Sequence, residues 1–311
     1  MAMNPAMKAV LRAISYVQPD IKKRYPRYRM LGNILARLYT APKEYRIWER
    51  RVLRDGYAIP VRIVSPPKPT DRALVFFHGG GWVTGSLDTY RRTCVDMCRQ
   101  TGHMVIAVDY RLSPEVRFPT ALEDCYEVLR VLYAGRFAGV LPENLTLVGD
   151  SAGGNLAAAL SLLARDRGEF CPRRQILIYP ATDNQHGEDS PYPSVGENGR
   201  GYLLTTQRMR DYLALYRSCE EDISSCYLAP ILAEDLSRQP DTLMITAEFC
   251  LLRDEGEAYA RRLKESGNRV EVCRVQGALH GFFTLPSGFS QVGQLYDAVN
   301  GFLRRDDSHE Q

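Results

Sequence analysis

The sequence contains no apolar run approaching the roughly 18 residues that span a bilayer, which excludes a membrane-spanning helix. Lys8 and Arg12 break up the mildly apolar start, so the apolar core of a signal peptide is missing too. Neither sign of charge dominates: 40 Lys and Arg against 37 Asp and Glu leave a formal +3, too little to require nucleic acid or an anionic membrane as partner. The densest basic run, Lys22, Lys23, Arg24, Arg27 and Arg29 with Tyr25 and Tyr28 between them, reads as a solvated helix face. No C-x-x-C pair occurs among the eight cysteines, which points to reduced thiols and a cytoplasmic location. No His/Asp/Glu cluster has metal-ligand spacing, so neither a metal nor a cofactor is expected.

What is present is an ordinary globular composition, with 311 residues of which 45% are hydrophobic and 25% charged. That is enough chain for one large α/β domain with an accessory piece. Residues 1 to about 45 read as helical, with one apolar face at Val10, Leu11, Ile14 and Val17 and another at Leu31, Ile34, Leu35 and Leu38. Between residues 44 and 64 the period changes to β alternation around a turn at Asp55-Gly56. Short apolar runs follow at residues 73–77, 104–108, 175–179, 242–246 and 270–275, with helical stretches at 89–101, 121–133, 155–166, 255–266 and 290–303. Short apolar runs separated by helices predict a mostly parallel sheet buried on both faces. From Thr182 to about Ile223 the pattern breaks into a Gly/Pro/Ser-rich insertion with a helix at 206–216.

Chemistry concentrates at three loops. Residues 145 to 159 read as strand, tight turn and Ala/Leu-rich helix, with Gly149-Asp150-Ser151-Ala152-Gly153 as the turn. Such an elbow presents Ser151 as a nucleophile and aims the Ala152 N–H at developing negative charge. The three glycines after His78 let the backbone approach a substrate, so Gly80, Gly81 and Ala152 are the expected oxyanion donors, with His78 positioning the loop. The base is expected downstream of the serine. His186 lies in the polar insertion and His309 in a charged tail, which leaves His280, on the glycine-flanked loop after the last apolar run. Asp150 is expected to orient the elbow, Asp183 to line the pocket or pair structurally, and Trp82, Tyr179 and Phe282 to wall the acyl pocket.

Taken together, the segments at 78–82, 109–115, 118–119, 149–155 and 280–282 make the chain resemble the hormone-sensitive-lipase-like branch of the α/β-hydrolases, particularly bacterial acetyl esterases. The resemblance covers about residues 73 to 282. It implies an α/β-hydrolase fold, with a core over 46–311 and a helical cap built from residues 1–45 and an insertion about 184–222. It also implies hydrolysis of short-chain acyl esters, acetyl to butyryl, through an acyl-serine intermediate. A small-molecule ester is the implied partner, and family members commonly form homodimers through the edge of the last strand.

One position departs from the family. The segment Cys250-Leu251-Leu252-Arg253-Asp254-Glu255-Gly256 carries cysteine where the family's catalytic aspartate stands. Losing that carboxylate costs on the order of 10⁴-fold in serine proteases. Four accounts follow: Glu248 or Asp254 substitutes, Cys250 acts as a thiolate, an oxidised Cys250 mimics aspartate, or the triad is attenuated. A non-catalytic receptor or pseudoenzyme on the same fold is the alternative function, and an arylformamidase or lactonase would use the same residues.

Overall fold

A computed structural model describes residues 20–135 and 140–305. The expected apolar face at Val10, Leu11, Ile14 and Val17, and the tail carrying His309, lie outside the described residues. The chain opens with helix α1 (Ile21–Ala36) and continues with the hairpin β1 (Arg46–Arg54) and β2 (Tyr57–Ser65). Asp55 and Gly56 turn that hairpin with φ of 47° and 77°, the paired positive values a two-residue connection matching the strand twist needs. Then come β3 (Ala73–Phe77), α2 (Arg91–Thr101), β4 (Met104–Val108), α3 (Thr120–Tyr133), β5 (Leu145–Asp150), α4 (Ala152–Arg167) and β6 (Arg174–Ile178). The insertion carries α5 (Pro193–Asn198) and α6 (Thr206–Tyr216), and the fold closes with β7 (Asp241–Phe249), α7 (Arg253–Glu265), β8 (Val270–Leu279) and α8 (Ser290–Arg304).

Eight strands form one sheet in the order β1-β2-β4-β3-β5-β6-β7-β8. Only β2 runs against its neighbours; every pairing from β4 to β8 is parallel. All five residues of β3 and all six of β5 are buried, as continuous apolar strands covered on both faces require. Against them packs α4, whose residues from Ala152 to Ala164 are all buried, before Gly168 ends it at a φ of 68°. β7 and β8 lose register between Ala247 and Phe249, and this irregularity re-aims the end of β8 beside the site.

The expected inward face of the N-terminal helix is not the buried one. Leu31, Leu35 and Leu38 are 54%, 64% and 80% exposed. Ile21, Tyr25 and Tyr28 point inward instead and pack with Val83, Leu215 and Tyr212, while Lys22 pairs with Asp211 of α6 at 3.1 Å. Position in the assembled fold, not apolarity, selects the buried stripe: Gly32 and Asn33 on the same side line the central cavity. No helix among the described residues is long and apolar enough to cross a membrane.

Candidate active site

Four loops at the C-terminal ends of neighbouring parallel strands converge, as crevices of open α/β sheets do. They follow β3, β5, β7 and β8, and they supply the glycine loop, Ser151, Cys250 and His280. Ser151 sits between β5 and α4 with φ at 55°, a conformation costly for a residue with a side chain and held here from both sides. Its N–H donates to the Ile178 carbonyl at 2.9 Å and its own carbonyl accepts from Asn155 N–H at 3.0 Å. The neighbouring glycines are forced by close approach: a Cβ on Gly149 would collide with the Gly153 carbonyl, and one on Gly153 with the Phe77 carbonyl.

The glycine loop is tied to the elbow through Asp150. Gly79 N–H donates to Asp150 Oδ1 at 2.7 Å, and Tyr90 and Tyr179 hydroxyls donate to Oδ2 at 3.0 and 3.5 Å. Burial pushes this carboxyl up to about 7, against those hydrogen bonds, which favour its charged form. His78 stacks on Tyr110 at 4.4 Å and its Nδ1 lies 2.8 Å from the Gly79 carbonyl oxygen, so it packs against the start of the glycine loop. Gly80 and Gly81 adopt φ of 116° and 62°. The ring of Tyr212, from α6, lies where a Cβ on Gly81 would be. Among the described residues the N–H groups of Gly80, Gly81 and Ala152 donate to no other group of the chain, and all three residues line a cavity of about 920 Å³.

Ser151 Oγ and His280 Nε2 are 3.0 Å apart, within reach for proton transfer. On the other side of the ring, Nδ1 lies 3.1 Å from Cys250 Sγ. Burial drives His280 down to about 3 and the Cys250 thiol up to about 12. Burial thus favours the neutral form of both partners, the thiol and the imidazole. A neutral thiol can donate to Nδ1 or accept from it, whereas a carboxylate only accepts. If the thiol donates, the ring proton moves to Nε2 and faces Ser151, the wrong tautomer for a base.

Neither candidate substitute acid reaches His280. Glu248 Oε2 accepts the Gly277 N–H at 2.6 Å and so fastens the irregular end of β8. Asp254 Oδ2 accepts the Ser194 N–H at 2.7 Å, and its Oδ1 pairs with Arg253 at 2.7 Å, so this carboxylate anchors the start of α5. The aromatic assignments divide. Trp82 contributes to the lining, with its indole buried and stacked on Tyr216 at 4.4 Å. Tyr179 and Phe282 are not in the lining: Tyr179 backs His280 at 4.7 Å, and Phe282 packs against Tyr179 at 5.5 Å. Asp183 pairs structurally, accepting from the Tyr192 hydroxyl.

Several residues of this region carried no sequence signal of their role. Tyr28 and Arg208 line the cavity with Leu203, Met209 and Tyr212, and Arg208 lies over the Tyr28 ring at 5.3 Å. The sequence predicts the helix at 206–216, but not which of its faces meets the glycine loop. His186, on the polar insertion, is fully buried with its Nε2 2.7 Å from Glu255, whose other oxygen accepts from Thr182 N–H. All eight cysteines are free thiols.

A family profile described as alpha/beta hydrolase fold matches residues 74–284. The chain is 38% identical over 240 residues to an ethyl acetate hydrolase of Pseudomonas putida, covering 75% of this chain and 74% of that protein. It is also 38% identical over 259 residues to an arylesterase of Saccharolobus solfataricus, covering 81% of each. Among solved structures, a hyperthermophilic esterase from Pyrobaculum calidifontis superposes with a TM-score of 0.85 at 34% identity and 98% coverage of both chains.

Proposed function

The chain belongs to the α/β-hydrolase family, in its hormone-sensitive-lipase-like branch, and is a serine carboxylic-ester hydrolase; from there we propose that it cleaves short-chain acyl esters, acetyl to butyryl, through an acyl-Ser151 intermediate. The observation that carries this reading is the 3.0 Å contact between Ser151 Oγ and His280 Nε2 beside three uncommitted N–H groups. His280 is the base that takes the Ser151 proton, and Gly80, Gly81 and Ala152 hold the oxyanion, each donor contributing about 3 kcal/mol to barrier reduction. α1 together with the segment 184–222 forms the cap over the acyl pocket, and Trp82 belongs to its wall. Support comes from α1 and α6 meeting over the cavity through Tyr28 and Tyr212.

With Cys250 in the acid position, the triad is attenuated, because nothing anionic stabilises the imidazolium. The free thiols support a cytoplasmic enzyme. A homodimer through the edge of β8 completes the proposal, and sedimentation velocity measures it. Hydrolysis of p-nitrophenyl acetate, butyrate and octanoate by the wild type and Ser151→Ala tests the chemistry. Ser151-dependent turnover that falls from butyrate to octanoate is expected, with a mass increment of one acetyl group on the Ser151 peptide after rapid quench. Equal rates for wild type and Ser151→Ala would sink the acyl-serine route.

A further inference from the structure

Cys250 against His280 bears on which esters this site can cleave, given the acyl-serine route proposed above. In the first step Ser151 Oγ bonds to the ester carbonyl carbon, its proton passes to His280 Nε2, and the carbonyl π pair moves onto oxygen. In the second that pair returns, the bond from carbon to the leaving oxygen breaks, and the leaving oxygen keeps the bonding electrons. An alkoxide is too basic to depart alone and must take the proton from Nε2 as it goes. A phenolate or enolate departs as the anion, and the proton on His280 is released to solvent.

The two leaving groups thus make different demands on the ring. Alkyl esters pass through a fully formed imidazolium on both sides of the tetrahedral intermediate. Aryl and enol esters have a more electrophilic carbonyl, so the attack has an earlier transition state with only part of a charge on the ring, and expulsion needs no acid. Stabilising the imidazolium is the task of a carboxylate at Nδ1. Here Nδ1 meets a thiol at 3.1 Å, and Leu252 N–H already donates to that sulfur at 3.4 Å. Every nearby carboxylate is turned elsewhere: Glu248 to Gly277, Asp254 to Ser194, Glu255 to His186 and Asp150 to Gly79.

We infer that acylation of this site is selective by leaving group, taking esters of weakly basic alcohols, aryl and enol esters, in preference to alkyl esters. Release of the acyl group, in which water gives a proton to His280 and Ser151 Oγ leaves by taking it back, is common to every ester and does not enter kcat/KM. The thiol at position 250 is the specificity-determining feature, acting through His280 rather than by touching the substrate.

The test holds the acyl group constant and varies the alcohol. kcat/KM is measured for p-nitrophenyl, phenyl and ethyl acetate with the wild type, Ser151→Ala and Cys250→Asp. Restoring the carboxylate is expected to raise p-nitrophenyl acetate hydrolysis by less than about tenfold and ethyl acetate hydrolysis by about 10³- to 10⁴-fold, up to the loss seen when a triad aspartate is neutralised. A gain of the same size on all three esters overturns the inference. Should Cys250→Asp fail to fold, the wild-type series still decides: log kcat/KM must fall with leaving-group pKa more steeply than hydroxide-catalysed hydrolysis does, and an equal or shallower slope overturns it. Failure of the acyl-serine route itself looks different, since Ser151→Ala would then match the wild type on p-nitrophenyl acetate.

Discussion

On the Nε2 side of His280 the reacting groups are held several times over. Ser151 is bonded through both its N–H and its carbonyl, and the glycine loop is fastened to the elbow by Asp150 and steadied by His78, Tyr110 and Tyr212. On the Nδ1 side one thiol at 3.1 Å is the only hydrogen-bonding contact among the described residues, and the carboxylates around it serve backbone N–H groups and the insertion. The difference separates two requirements of acyl transfer. Under the proposed mechanism, geometry for attack is built from backbone and survives a change of one side chain, whereas stabilisation of the charged base rests on a single atom pair.

The comparison breaks most sharply at the ring itself. His280→Ala should reduce kcat/KM for p-nitrophenyl acetate by about 10³-fold or more, the residual rate resting on the oxyanion donors. A loss below tenfold, measured by initial rates, would mean that the Nε2 side works without its base. Gly81→Ala is next, at about 10²- to 10³-fold in kcat, since the new Cβ would displace Tyr212 and with it one donor. An unchanged kcat with an intact fold by circular dichroism would show that Gly81 N–H holds no oxyanion.

A third experiment sets Asp150 against His280 through pH. His280 is held at about 3, below its ordinary 6.5, so the folded state refuses a proton that the unfolded state takes, and stability is lost as pH falls through that window. Asp150 is held at about 7, above its ordinary 3.8, so stability is lost as pH rises between those values. The two slopes oppose each other between about pH 4 and 6.5. Asp150→Asn removes one of them, and urea midpoints at pH 4.5, 6 and 8 should then show a steeper acid loss than the wild type. Parallel profiles would mean that Asp150 does not titrate as its burial requires. The smallest effect is expected from Tyr212→Ala, a drop in kcat of about tenfold through a loosened glycine loop. A change in KM alone would assign Tyr212 to substrate contact instead.

Much of this architecture is written in the sequence in one particular physical form. Strands buried on both faces must be continuously apolar, and so β3 and β4 are legible to the residue, as is α6 by its helical period. The elbow is legible because only glycine fits beside Gly153 and Phe77. Where the sequence misleads, the cause lies in neighbours that local patterning cannot name. Glu248 and Asp254 are near Cys250 along the chain, yet the irregular end of β8 and the start of α5 claim their oxygens first. Leu31 and Leu35 fit an apolar stripe, but α1 meets the fold through Ile21, Tyr25 and Tyr28. His186 sits in a polar stretch, and only the folded chain shows that Glu255 is its partner.

The ring of Tyr212 on Gly81 joins two functions in one contact. Tyr212 lines the cavity and at the same time fills the space beside the Gly81 backbone. The wall of the cavity and the backbone of the glycine loop are therefore one packed unit, and a side chain changed on this face of α6 reaches the loop directly.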